Sequence, residues 1–232
     1  MGLPSSEFTD VWPRADGISG WMTRAQGNEL WDAVALVPDG GRILEIGSHK
    51  GRSTVVIGTA AKQRGAEVIA VDPFIEGRLF GGTPTRAIFE ANIAAADLDG
   101  VVRLVVSKST DLRPTWTEPL DMLYIDGKHD YWTVADDLRW VVHLREGAPV
   151  LIHDSFSSIG VTLGLIAHVL FGSSLRYAGR AGSLASFRVG RPSQSDRLRL
   201  AAQLPWFVRN VVIKIGLRFA RLAGYHGTPD PY

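Results

Sequence analysis

The sequence contains no cysteine. That excludes a disulfide scaffold and any thiolate-held metal. It fits a reducing compartment, so a cytoplasmic location is the expectation. An excess of one charge is also missing: 25 basic side chains stand against 24 acidic ones, a formal net charge of +1. No global field draws such a chain to nucleic acid. Long apolar runs are absent too, since none approaches the ~20 residues that span a bilayer. The polar start, MGLPSSEFTD, has no signal-peptide core. No internal repeat or low-complexity block is visible.

What the 232 residues do contain is alternation. RILEI (42–46), EVIAVD (67–72), VRLVVS (102–107), LDMLYID (120–126) and APVLIHD (148–154) are short apolar runs rich in strand formers. Between them lie segments with apolar residues at helical spacing. These are 52–65, closed by a glycine as at a helix C-cap, 83–96 begun by Thr83-Pro84, then 131–144 and 159–171. LRYAGRAG and LASFRVG follow as two strands joined tightly at Gly182-Ser183. The pattern predicts an α/β, Rossmann-like fold: a mostly parallel seven-stranded sheet with one antiparallel strand and helices on both faces. Near-continuous apolar strands such as VIAV and VLI belong where both sheet faces are covered. Residues 1–41 read as a helical lead-in or cap carrying Trp21, Leu30 and Trp31. Residues 42–190 form the main domain and 191–232 a C-terminal helical extension.

In an open sheet of this kind, ligands bind at the carboxyl ends of the strands, near the point where strand order reverses. Here every strand tip is polar. The first turn, LEIGSHKGRST, lacks the G-x-G-x-x-G spacing that lets a backbone approach a pyrophosphate. That argues against the alternative of a nicotinamide-dependent oxidoreductase. The turn reads E-x-G-x-x-x-G-x-S, and a carboxylate before it suits a cationic or amine-bearing ligand. Asp72 ends the second strand, where an acid can accept hydrogen bonds from both hydroxyls of a ribose. Taken singly, Gly47 and Gly51 are ordinary turn glycines and Asp72 an N-cap before Pro73. As a set they resemble the S-adenosylmethionine (AdoMet) loop of class I methyltransferases. The resemblance implies Glu45, Gly47, Ser48 and Gly51 at the methionine end, Ser53 as a further cofactor-binding residue and Asp72 on the ribose. It further implies Ser107 and Ser109 near the adenine, with Phe74 beside the nucleoside. His49 lies in the same loop, facing either cofactor or solvent.

LYIDGKHDYW (123–132) begins as a core strand and ends in charge. Asp126 ends strand four, and His153 and Asp154 end strand five, its expected neighbour. Their tips can converge on one hard cation. Oxygen ligands suit Mg²⁺, and an imidazole in the set also accommodates Mn²⁺. His129 follows Asp126 by three residues, and histidine, with an unperturbed pKa near ~6.5, is the natural general base at neutral pH. Asp130, Asp136 and Asp137 read as solvated or first-turn helix acids. His143 and His168 read as packing or surface residues. The segment IDGKHDYWTVADDL resembles a class I group that contains cephalosporin-type and macrolide-sugar O-methyltransferases. The resemblance covers about 43–190 and is densest at 44–54 and 123–131. In metal-dependent members of that group, the strand-four Asp and an acidic pair after strand five hold Mg²⁺. The histidine three residues after the first Asp acts as base. Here the acidic pair is replaced by His153-Asp154, which leaves either a mixed ligand set or a weaker or absent metal site. GWMT (20–23) resembles the segment that folds over the cofactor, bringing in Met22 and Thr23.

The resemblance implies an AdoMet-dependent O-methyltransferase acting on a hydroxyl of a sugar or natural product. More narrowly, it extends to enzymes of methylated mannose polysaccharides such as the 1-O-methyltransferase of methylmannose polysaccharide assembly. Trp116, Tyr131 and Trp132 offer flat faces for a rigid acceptor, and 76–86 reads as a mobile lid. A metal-independent N- or O-methyltransferase and a non-catalytic AdoMet-binding protein remain as alternatives. The apolar, basic helix candidate 206–224 has three readings: packing on its own domain or in a homodimer, contact with a membrane surface, or holding the acceptor.

Overall fold

The computed structural model describes residues 5–76 and 81–222. Two helices, α1 (Ser5–Asp16) and α2 (Arg24–Val34), lead in. Thr23 caps α2 in a reciprocal box with Gln26: the Thr23 hydroxyl accepts from the Gln26 N–H, and Gln26 Oε1 accepts from the Thr23 N–H. Strand–helix alternation follows through β1 (Arg42–Ile46), α3 (Arg52–Gln63), β2 (Glu67–Val71), α4 (Gly82–Ala95), β3 (Val102–Val105) and the short α5 (Ser109–Leu112). Next come β4 (Met122–Ile125), α6 (Tyr131–Asp137), β5 (Pro149–Ile152) and α7 (Ile159–Leu165). A hairpin of β6 (Leu175–Ala181) and β7 (Leu184–Val189) closes the sheet, and α8 (Gln194–Ala201) and α9 (Leu204–Leu222) complete the described chain.

The seven strands run in the order β3-β2-β1-β4-β5-β7-β6. The first five are mutually parallel, and β7 is antiparallel to both of its neighbours. Strand order reverses between β1 and β4, so the ligand crevice belongs at their carboxyl ends. Both sheet faces are covered, as the apolar strands require. Ile43, Val68, Ala70, Met122, Tyr124 and Leu151 pack under the lead-in helices and α3. Leu44, Ile46, Ile69, Val71, Leu123, Ile125, Val150 and Ile152 pack on the other face with Val134, Trp140 and Leu165. Strand side chains alternate with period two. Continued by one residue, that alternation directs Glu45, Asp72, Asp126 and His153 toward the face covered by α2 and α3. Leu30 and Trp31 are fully buried there, as a packed lead-in requires. Each such side chain contributes about 1.5–3 kcal/mol by leaving water.

Two helices differ from expectation. The segment 131–144 is α-helical only to Asp137 and then tightens into a 3₁₀ turn over Leu138–His143. The β-branched pair Val141-Val142 is a poor α-helix former, and tightened last turns are common. The segment 159–171 likewise leaves α geometry at Leu165 and ends in a π turn, Ile166–Leu170. Of the expected lid, residues 77–80 lie outside the described residues. Its flanks are joined where the Thr83 N–H and hydroxyl donate to Glu76 Oε1. Helix α9 packs inward on its own domain through Trp206 and Phe207, and the Asn210 amide donates to the Phe156 carbonyl. Gly224 and the Arg221 side chain lie outside the described residues. Among those residues, no helix is long and apolar enough to cross a membrane.

Candidate active site

The β1 tip and its loop form one wall. Gly47 sits at φ +89°, and a Cβ there would lie 2.2 Å from the Asp126 carbonyl oxygen. Only glycine lets the β1 and β4 tips close in this way. Gly51, at φ +88°, starts α3. Asp72 ties the loop to β2: its two oxygens accept from the His49 N–H at 2.9 Å and the Phe74 N–H at 2.8 Å. Phe74 is buried against Phe89. Glu45 is fully buried and accepts from Ser53 and Thr54, each at 2.5 Å. Burial pushes its carboxyl up to about 7, and the two hydroxyls offset only part of that. Ser48 is buried in the same loop.

In the GWMT segment, the Thr23 side chain is engaged as the α2 cap, and Met22 is buried in the core under α1 and α2. The residue that meets the glycine loop is Trp21, 66% exposed, with its ring 5.7 Å from that of His49. At the β3 tip, the Ser107 hydroxyl bonds its own loop at the Lys108 carbonyl. Ser109 is buried, and its hydroxyl donates to Asp137 Oδ1. Asp137, read above as a solvated helix acid, is fully buried and burial pushes it up to about 7. The end of α6 turns it beneath the β3 loop. Asp136 pairs with Arg113 at 3.0 Å. Asp130 is the N-cap of α6 and accepts from the Thr133 N–H and hydroxyl.

The β4 and β5 tips form the other wall. Asp126, His153 and Asp154 each turn a donor atom inward, and these atoms all lie within 4.8 Å of one another. His153 Nδ1 is 3.3 Å from Asp126 Oδ1 and 3.6 Å from Asp154 Oδ2. Cis donors around a cation with ~2.1 Å bonds stand roughly 3 Å apart. His153 is 5% exposed, and among the described residues its buried Nδ1 makes no well-aligned hydrogen bond. A buried nitrogen aimed at two carboxylates fits the ligand role of an imidazole in a mixed nitrogen–oxygen cation site. Asp154 adopts φ +53°, which turns it back toward β4.

His129 sits on the open rim. Its Nδ1 is 3.2 Å from Asp154 Oδ2 and its Nε2 is 3.7 Å from Asp126 Oδ1. Burial lowers its pKa, but the two carboxylates outweigh this and hold it above the ordinary value. For His153, burial again works against the charge, and Asp126 and Asp154 push it up to about 10. Burial likewise opposes ionisation of Asp126, yet His153 and His129 keep it well below the usual carboxylate range. The Tyr124 hydroxyl donates to Asp126 Oδ2 at 3.0 Å. Tyr124 and Gln26, whose Oε1 lies 3.4 Å from His153 Nε2, were not marked by the sequence. For Tyr124 the signal was available, since it stands two residues before Asp126 and so points the same way.

Of the expected acceptor-side aromatics, Trp132 is 79% exposed and stands edge-on to Tyr131. Trp116 instead packs edge-on to the buried Trp140. Tyr131 OH lies 3.2 Å from His168 Nε2. A separate cavity of about 450 Å³, lined in part by Arg139, Glu146, His168 and Arg191, shares no residue with the strand-tip cluster.

Residues 44–155 match the family model described as "Methyltransferase domain". Similar solved structures include an SAH-bound methyltransferase from Podospora anserina, with a TM-score of 0.60 and 14% identity over 82% of this chain and 89% of that one. An O-methyltransferase from Bacillus cereus in complex with SAH has a TM-score of 0.52 at 19% identity, covering 79% and 89% of the two chains. The O-methyltransferase TomG from Streptomyces achromogenes, involved in tomaymycin synthesis and solved with SAM, has a TM-score of 0.54 at 16% identity over 82% and 91%. Strand order, the glycine loop and these likenesses agree: the chain has the class I AdoMet-dependent methyltransferase fold.

Proposed function

We propose that the protein is an AdoMet-dependent O-methyltransferase that works with a divalent cation on a hydroxyl of a sugar or a related natural product. The observation that carries this reading is the cluster of Asp126, His153 and Asp154 with His129 on its rim, across the strand-order reversal from the glycine loop. Residues 42–190 are the catalytic unit, 1–41 its cap and 191–232 an extension. Asp72 accepts from the ribose hydroxyls, and the glycine loop with Glu45, Ser48 and Ser53 borders the methionine end. Ser107 and Ser109 border the adenine.

Asp126, His153 and Asp154 would hold the cation. When bound, that cation supplies a positive charge that lowers the acceptor hydroxyl's pKa. His129 orients through Nδ1, which faces Asp154 at 3.2 Å. Its Nε2 lies beyond hydrogen-bond distance of Asp126 at 3.7 Å, and it takes the hydroxyl proton. The methyl group leaves the sulfonium sulfur for the acceptor oxygen, so catalysis is in-line positioning plus removal of one proton. The exposed Trp132 beside Tyr131 gives the acceptor a flat apolar face.

The test is transfer from methyl-labelled AdoMet to a panel of sugars and hydroxylated natural products, with Mg²⁺, with Mn²⁺ and with chelator. Label on an acceptor oxygen that disappears with chelator is expected. Turnover untouched by chelator, or label on nitrogen alone, would overturn the reading.

A further inference from the structure

The lead-in helix α2 reaches into the strand-tip cluster through Gln26, which is 1% exposed. The polarity of its amide is fixed by the Thr23 N–H, and Ser183 braces its other end. Oε1 accepts from the Thr23 N–H at 2.8 Å, closing the capping box, and Nε2 donates to Ser183 Oγ at 3.0 Å. Rotating the amide by half a turn would set its NH₂ against the Thr23 N–H, donor against donor. The atom 3.4 Å from His153 Nε2 is therefore Oε1, which can only accept. An acceptor there calls for the proton on Nε2 of His153. With one proton held on Nε2, it is Nδ1, the nitrogen that faces Asp126 and Asp154, that can give up its proton and turn a lone pair to a cation.

We infer that Gln26 is a positioning residue that fixes His153 as an Nδ1 donor to the divalent cation. This rests on the metal-assisted reading above. Partners that hold the far nitrogen of a ligating histidine set its tautomer and ring orientation. Here that partner is a helix-capping side chain 127 residues earlier in the chain, braced by the β6–β7 turn through Ser183. A cap that stabilises α2 and a support that orients a ligand are thus one side chain. The chain departs from a purely acidic ligand pair at His153, and Gln26 supplies what an imidazole needs and a carboxylate would not.

The experiment is Mn²⁺ titration of the full chain, without AdoMet or acceptor, read by calorimetry and by the loss of the free-ion EPR signal. Gln26→Leu removes the acceptor and is expected to weaken Mn²⁺ binding by ~10–100-fold. Gln26→Glu keeps an oxygen facing Nε2 and is expected to bind Mn²⁺ at least as tightly as wild type. Thermal melts and AdoMet binding track folding of each variant. Should Gln26→Leu fail to fold, Gln26→Met keeps the length of the side chain without the acceptor and is expected to weaken binding in the same direction. Unchanged Mn²⁺ affinity in a folded Gln26→Leu or Gln26→Met overturns the role of Gln26, as does equal weakening in Gln26→Glu. A wild-type chain that binds no Mn²⁺ overturns the metal reading itself, a result distinct from either.

Discussion

Asp126 and Asp154 face imidazoles, whereas Glu45 and Asp137 face hydroxyls. The first pair is about a quarter open, each side chain 27% exposed, and the second pair is sealed. Their acidities diverge in opposite directions. Asp126 and Asp154 are held below the ordinary carboxylate range because His153 and His129 outweigh their burial. Glu45 and Asp137 are both pushed up to about 7 because Ser53, Thr54 and Ser109 only partly offset theirs. Burial sets the cost of a charge, and the charge of the partner decides whether the cost is met. One set is therefore ionised at neutral pH and open to a cation. The other is close to proton uptake and serves to pin α3 and the β3 loop in place.

Removing the centre of the charged set should have the largest effect. Asp126→Ala is expected to abolish cation-dependent methyl transfer while AdoMet affinity, measured by calorimetry, changes little. Full activity in this variant would take Asp126 out of the site. Next comes His129→Ala, which takes away one imidazole but no proposed ligand. Turnover should fall by roughly 10²–10⁴-fold with Mn²⁺ affinity retained, a split visible by comparing kcat with metal titration.

Two stability profiles sharpen the contrast further. His153 in the metal-free chain has a raised pKa, so its contribution is complete below the unfolded value of 6.5 and is lost as pH rises through about 10. Denaturant melts of the chelated wild type should show that loss, and His153→Gln should flatten it. Glu45 is raised as an acid, so it costs stability as pH rises from 4.5 to about 7. Glu45→Gln should gain on wild type across that window by up to about 3 kcal/mol and run parallel above it. A variant that tracks wild type from pH 4 to 8 would mean that Glu45 ionises normally.

The strands were legible because each is a short apolar run bounded by polar tips, and the reversal of strand order made those tips a list of ligand candidates. Asp126, His153 and Asp154 could be grouped from sequence because neighbouring parallel strands bring their tips together. Gln26 could not. It meets His153 only when α2 is laid across the sheet, and its nearby sequence reads as an ordinary capping box. Asp137 was misread for a related reason. It lies three residues after Val134 on the buried face of α6, where it accepts from Ser109, and an acid on that face reads from sequence as solvated. Thr23 was marked for its place in GWMT, yet its hydroxyl is committed to the α2 cap.

Helix α9 holds the loop just after Asp154, with Asn210 on the Phe156 carbonyl at 3.1 Å and Lys214 on the Ser157 carbonyl at 2.7 Å. During synthesis, the ribosome makes Asp126, His153 and Asp154 well before it makes Asn210. At ~5–20 residues per second the gap is a few seconds. Until α9 arrives, the backbone that turns Asp154 toward β4 lacks its clasp. The double variant Asn210→Ala/Lys214→Ala should mimic that state and bind Mn²⁺ more weakly than wild type in a metal titration, by a margin smaller than any above. The proposed cation site is assembled early in the order of the chain and tightened late.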